Sequence, residues 1–225
     1  MEDRFSRNMP TLRPEEQARL AGAHVFVAGC GGLGGHVLEL LLRLGVGHIT
    51  AADGDRFTPS NRNRQLLSLE SNLGQSKVSA ALSRARDINP DVEFRALETV
   101  LDRDNLPELL RGCDLVMDAL DSVEARLTLA AACADAGLTL VHGAVEAWLA
   151  QVTVLPPGSD VLGRLYGPGT APAKSSTVLS PAPALCAAVQ CAEAAKLLAG
   201  RESDLVGRLF VADLEQMEFQ IIELA

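Results

Sequence analysis

Compact apolar runs with β-branched residues recur along this chain, and most are followed by a longer stretch whose apolar residues fall at helical spacing. Residues 24–28 (His-Val-Phe-Val-Ala) and 49–52 (Ile-Thr-Ala-Ala) predict buried strands, the second ending on Asp53. Between them, residues 37–44 are apolar nearly all round, which predicts a buried helix stopped by Gly45. The alternation continues with a predicted helix over 77–88 closed by Asn89-Pro90, a strand over 92–96, a short helix over 106–111 and a strand over 114–119. A helix over 123–136 and a short strand over 138–141 follow, and a short helix over 14–22 precedes the whole series. Strands alternating with helices pair in parallel through right-handed crossovers. The expected fold class is therefore α/β, with a doubly wound, Rossmann-like, mostly parallel sheet.

The pattern changes after His142. Residues 151–155 read as a strand, 182–198 as a helix ended by Gly200, and 208–213 with 216–222 as a closing antiparallel hairpin. The stretch 156–180 is rich in Gly, Pro, Ser and Ala and longer than most ordered loops, which predicts a functional crossover or lid. No internal repeat or linker divides the chain. One domain over 1–225 is expected, with an N-terminal arm and helix (1–22), a half of alternating strands and helices (23–145) and a part made of the crossover, a helix and antiparallel strands (146–225).

Composition narrows this picture in three places. Aromatics make up only 4% of the residues, so the core must be built from Leu, Val and Ala. The net charge of −9 argues against a large nucleic-acid surface. Five cysteines, at 30, 113, 133, 186 and 191, form no C-x-x-C pair, so neither disulfides nor a zinc site is expected. The start, Met1-Glu2-Asp3-Arg4, does not read as a signal peptide, and no apolar run looks long enough for a membrane span. The expected location is cytoplasmic.

Candidate chemistry centres on Gly29-Cys-Gly-Gly-Leu-Gly-Gly35, which holds G-x-G-x-x-G through Gly29, Gly31 and Gly34, with Gly32 inside it. It lies between a predicted strand and a predicted helix, where glycines let the backbone approach a phosphate and the helix N-terminus supplies donors. Asp53, 24 positions after Gly29, suits a ribose hydroxyl. Taken alone, the turn favours NAD. Ser60-Asn-Arg-Asn-Arg-Gln65 and Lys77 shift the balance. ATP carries about four negative charges, and splitting it calls for cations around its phosphates. Arg64, Lys77 and an Asn at 61 or 63 are groups of that kind. Where the predicted strand over 114–119 closes, Asp121 can hold Mg²⁺ or simply cap the helix that follows, and Asp118 can serve as a structural support.

Together these residues resemble the ThiF/MoeB/HesA family, bacterial relatives of ubiquitin-activating enzymes. The matching stretches are Arg4-Phe-Ser-Arg7, the glycine turn, Asp53-Gly-Asp55, Asn61 with Arg64-Gln65, Gly74-x-x-Lys77, Ile88-Asn-Pro90, Asp118-x-x-Asp121 and Gln151-Val-Thr. The resemblance implies that Asp53 binds the ribose, that Asn61, Arg64 and Lys77 meet the phosphates, and that Asp55 and Gln65 complete the nucleotide site. It implies Asp121 for Mg²⁺, a homodimer in which Arg7 reaches the partner's site, and Arg126 as a fit to the family or a brace for its helix. The implied activity is ATP-dependent adenylation of the C-terminal carboxylate of a small ubiquitin-like sulfur-carrier protein, with release of pyrophosphate.

The sequence departs from many relatives twice. Residues 161–164 carry no C-x-x-C for a zinc, and residues 167–180 carry no cysteine for a covalent carrier intermediate. Cys186 and Cys191 fall in the next predicted helix and read as packed and inert. Two other functions fit parts of the same pattern. One is the related dehydratase that adenylates threonylcarbamoyladenosine in tRNA, whose N-x-N-R-Q and D-A-x-D-S stretches are matched by 61–65 and 118–122. The other is an NAD-dependent oxidoreductase, for which His142 stands isolated as the only proton-donor candidate.

Overall fold

A computed structural model describes residues 3–167 and 177–224. Among the described residues, eight strands form one sheet: β1 (His24–Ala28), β2 (His48–Ala52), β3 (Glu93–Leu97), β4 (Leu115–Asp118), β5 (Leu140–Glu146), β6 (Leu149–Leu155), β7 (Arg208–Asp213) and β8 (Glu218–Glu223). They lie in the order β3-β2-β1-β4-β5-β6-β7-β8. The first five run parallel, and β6, β7 and β8 add on antiparallel, as the change of pattern after His142 predicts.

The alternation of side chains along β1 shows why both faces must be covered. Val25 and Val27 enter one apolar cluster and Phe26 and Ala28 the other. The first cluster receives α2 (Gly32–Leu44), α3 (Lys77–Ile88) and α7 (Pro181–Ala199). The second receives α4 (Leu106–Leu109), α5 (Val123–Ala136) and α6 (Val161–Tyr166). A further helix, α1 (Pro14–Gly22), places Leu20 beside Ala199 at the end of α7. By length and composition alone α7 could cross a membrane, but Cys186, Ala187, Cys191 and Ala194 are buried in the core between α2 and β5.

Because β1 pairs with both β2 and β4, the winding reverses between β1 and β4. Ligands of doubly wound sheets sit at that switch point, beyond the carboxyl ends of the strands. The glycine turn leaves β1 there, and Asp118 ends β4 beside it, in register with Ala28.

Several boundaries differ from the sequence reading. Helix α2 begins at Gly32 rather than 37, because tight packing against the turn outweighs the poor helix propensity of three glycines. Strand β5 runs on to Glu146 and turns through Ala147 into β6, each residue pairing across that hairpin. The expected crossover 156–180 contains α6, whose Val161 and Leu162 are buried; residues 168–176 of it lie outside the described residues.

Candidate nucleotide site

Gly29 has φ +94, and a Cβ there would stand 2.8 Å from the Ala119 oxygen. Gly34 is tighter still, with an added Cβ 1.9 Å from the Gly29 oxygen. The first glycine thus makes the turn and the third lets α2 start against it. Gly31 caps α2 without any side-chain bond, so the helix opens with free N–H groups at the switch point.

The segment after Phe57 folds over this turn. A Cβ on Gly31 would lie 3.6 Å from Gln65 Nε2, and one on Gly32 would lie 3.4 Å from Arg64 Cγ. The structure therefore brings Arg64 and Gln65 to the glycine turn. Gln65 is buried, and its Oε1 has no hydrogen-bond partner. Asn61 Oδ1 accepts the Thr58 N–H and so folds its own short 3-10 helix (Pro59–Asn61). Asn63 donates instead to the Val178 oxygen, tying the segment to the returning end of the crossover.

Asp53 is already engaged with the turn, accepting the Cys30 N–H at 2.7 Å and the Asp55 N–H at 2.8 Å. Lys77 is buried, and its Nζ donates to Asp55 Oδ2 at 2.8 Å. Burial first, then the Asp53 carboxylate, push the Cys30 thiol well up, and the Lys77 charge opposes them. Asp53, Lys77 and the turn thus share one electrostatic neighbourhood.

At the end of β4 the two aspartates divide. Asp118 is fully buried and both its oxygens are occupied, Oδ1 by the Leu120 N–H and Oδ2 by His142 Nδ1 at 2.6 Å. Sealed from solvent, it cannot meet a ligand, whereas Asp53 is only half-buried. Asp121 is exposed, with no hydrogen bond or ion pair to any described residue. The cap of α5 is Ser122, which accepts from the Ala125 N–H, so capping does not occupy Asp121. A free carboxylate beside a phosphate cradle fits Mg²⁺, which takes one or two carboxylates and fills its remaining positions with phosphate oxygens and water.

His142 is not isolated, as the sequence suggested. It lies in register with Asp118 on the neighbouring strand, and its Nε2 is 3.0 Å from the Tyr166 hydroxyl, to which Gln151 also donates. Arg126 lies over the Tyr166 ring and donates twice to the Leu120 oxygen. Behind this group, Gln190 Nε2 donates to the Asp118 and Val141 oxygens. Gln151 was noted only as part of a motif, and Tyr166 and Gln190 were missed. The spacing of Val161, Leu162, Leu165 and Tyr166 is the helical signal that could have exposed the first of these.

Arg7 is not brought to this site. Its 3-10 helix (Asp3–Asn8) sits at the far end of α2, where the Phe5 ring approaches Gly45, and a helix of that length puts it ~20 Å from the turn. Cys186 and Cys191 are buried; burial pushes the Cys186 thiol up to about 12 and raises that of Cys191 as well.

Comparison with known proteins agrees with this geometry. The chain is 35% identical to the SAMP-activating enzyme E1 of Haloferax volcanii, over 98% of this chain and 84% of that protein. It is 35% identical to the sulfur carrier protein adenylyltransferase of Thermus thermophilus, over 97% and 85%. The crystal structure of E. coli MccB with ATP superposes with a TM-score of 0.83 at 19% identity, over 100% of this chain and 72% of that one. A family model, that of the ThiF family, matches residues 5–225, and with the glycine turn, the folded-over Arg64-Gln65 and the free Asp121 in place, the chain belongs to the ThiF family.

Proposed function

We propose that the protein is an ATP-dependent adenylyltransferase that activates the C-terminal carboxylate of a small ubiquitin-like sulfur-carrier protein. The observation that carries this reading is Arg64 and Gln65 folded onto the glycine turn while Asp121 stands unpartnered at the end of β4. An oxidoreductase would leave both features without a task. The names of the 35%-identical relatives, a sulfur carrier protein adenylyltransferase and a SAMP-activating E1, point the same way.

The chemistry follows from the residues. The carrier's carboxylate is ionised at neutral pH and needs no general base. One of its oxygens attacks the α-phosphorus, the bond to the β-phosphate oxygen breaks, and pyrophosphate leaves with that electron pair. Catalysis then rests on position and charge. The N–H groups at the start of α2 and Arg64 hold the phosphates, Lys77 adds a buried cation, and Asp53 offers its carboxylate to the ribose. Asp55 orients Lys77, Asn61 shapes the segment that carries Arg64, and Gln65 braces the turn. Mg²⁺, held by Asp121, would supply charge neutralisation on the phosphates.

Strand β8 supports a protein acceptor. It is an exposed sheet edge that shows Phe219, Ile221 and Ile222 to solvent. A homodimer would bring Arg7 of one subunit to the site of the other, since it cannot reach its own. Five buried free cysteines suit a reducing compartment such as the cytoplasm.

The test is exchange of labelled pyrophosphate into ATP by the purified protein with Mg²⁺. Exchange is expected only when a ThiS- or MoaD-type carrier is added. Absence of exchange with every such carrier would remove this substrate class.

A further inference from the structure

The interior hydrogen-bond chain behind Asp121 has no role in the chemistry above, yet it converges on one peptide unit of the site. From one side, the Leu120 N–H donates to Asp118 Oδ1 at 3.0 Å, Asp118 Oδ2 binds His142 Nδ1 at 2.6 Å, and His142 Nε2 meets the Tyr166 hydroxyl at 3.0 Å. From the other, the Leu120 oxygen accepts Arg126 Nη2 at 2.8 Å and Nε at 3.1 Å, and that guanidinium lies over the same Tyr166 ring. Two arms, one through hydrogen bonds and one through a cation on a ring, thus join Leu120 to one residue of α6. Asp121 is the next residue in the chain, and its own side chain has no partner to fix it. Its place is set by its two chain neighbours, the Leu120 corner on one side and Ser122, the cap of α5, on the other.

The donors and acceptors allow one complete assignment. Gln151 donates to the tyrosine oxygen, the tyrosine O–H donates to His142 Nε2, and His142 Nδ1–H donates to Asp118. Burial raises the Tyr166 pKa and keeps the phenol a donor. Every polar atom along this path is then used, which is how a buried network becomes rigid.

We infer that Tyr166 and His142 are positioning residues that hold Asp121 in place through Asp118 and Leu120, so that the docking of α6 sets the geometry of the phosphate site. The segment leading into residues 168–176 is thereby linked to the carboxylate at the end of β4. Its value for catalysis rests on the adenylation reading; the link itself does not.

The closing experiment measures amide hydrogen exchange at Leu120 together with carrier-dependent pyrophosphate exchange, in Tyr166→Phe, His142→Asn and the double variant. Tyr166→Phe keeps the ring under Arg126 and removes only the hydroxyl. Asparagine at 142 can still donate to Asp118 but cannot reach Tyr166. Tyr166→Phe is expected to speed exchange of the Leu120 amide by up to about tenfold, the upper end for the loss of one hydrogen bond between neutral groups, with Val116 in β4 unchanged. The double variant should equal His142→Asn, because the link is already cut. Turnover should fall with ATP affinity unchanged. Unaltered Leu120 exchange in Tyr166→Phe, or effects that add in the double variant, would overturn the link. Faster Leu120 exchange with full turnover would overturn its role in positioning Asp121. Failure of the wild-type protein to catalyse pyrophosphate exchange sinks the functional reading instead, while the amide measurement still decides the link. If Tyr166→Phe does not fold, His142→Asn read at Leu120 and Val116 decides it alone, and an unchanged Leu120 amide overturns the link.

Discussion

Alanine at Gly34 and alanine at Gly31 should have opposite consequences, although both glycines belong to one motif. A Cβ on Gly34 would stand 1.9 Å from the Gly29 oxygen and 2.7 Å from its carbonyl carbon. Ordinary contact to carbon needs about 3.5 Å, so the first turn of α2 would have to retreat by roughly 1.5 Å. The obstructing atoms are backbone and cannot rotate aside, and Gly29 is itself fixed by its N–H bond to the Ala52 oxygen at 2.8 Å. Overpacking of this kind costs about 3 kcal/mol. At roughly 2–4 °C per kcal/mol for a chain of this size, the melting temperature should fall by about 6–12 °C. At Gly31 the nearest atom is the Gln65 amide nitrogen at 3.6 Å, an ordinary contact, and its φ is not in the left-handed region. Gly31→Ala should therefore melt near the wild type while weakening Mg-ATP binding, since the methyl group enters the space a phosphate would approach. Thermal unfolding paired with titration calorimetry reads both effects. A Gly34→Ala protein that melts within about 2 °C of wild type and binds ATP as well would refute the reasoning about the turn.

Three further outcomes follow from single side chains. Asp121→Asn should lower carrier-dependent pyrophosphate exchange by about 10²–10³ and raise the Mg²⁺ needed for half activity, with melting unchanged because Asp121 is exposed and unpartnered. Arg7→Ala and Asp121→Ala, each inactive, should recover about a quarter of wild-type exchange when mixed and allowed to reassort. Half of the dimers are then mixed and each has one intact site; no recovery would place Arg7 outside the partner's site. Hydrogen bonds from Arg201 and then Arg13 hold the Glu16 carboxyl well below the usual carboxylate range. Its contribution to stability is thus present above the unfolded glutamate value of about 4.3 and lost as pH falls toward the folded one. Glu16→Gln should flatten the acid limb of melting temperature against pH, and an unchanged acid limb would show that this cluster does not matter.

The sheet was legible in the sequence because burial on two faces writes itself as apolar runs. His24–Ala28 and His48–Ala52 could be placed to within a residue for that reason. The glycine turn was legible because tight backbone packing, against the Ala119 oxygen at Gly29 and the Gly29 oxygen at Gly34, leaves no substitute for glycine there, and Asp53 because it ends the second apolar run. Arg64 could be assigned to the phosphates from its charge and place in the chain, and Gln65 only from the family resemblance; that both lie over the turn was not legible. Their position depends on Asn61 folding the 3-10 helix beneath them, a local bond that a hydropathy pattern does not record. α6 was hidden by its flanks, since Pro, Gly and Ser on both sides masked a single turn and a half of apolar spacing.

The polar interior was the least legible part, and the reason lies in the sheet. Asp118 and His142 are 24 residues apart, and nothing local relates them; only the parallel pairing of β4 with β5 sets them side by side. Once that register is known, much of the rest follows from burial. A fully buried carboxylate must find donors, which requires His142 and the Leu120 N–H, and the remaining nitrogen of His142 then requires a partner, which Tyr166 supplies. The two aspartates of Asp118-x-x-Asp121 therefore acquire different functions from their surroundings alone. One is spent on structure, which leaves the other, three residues on and facing solvent, as the carboxylate free to act.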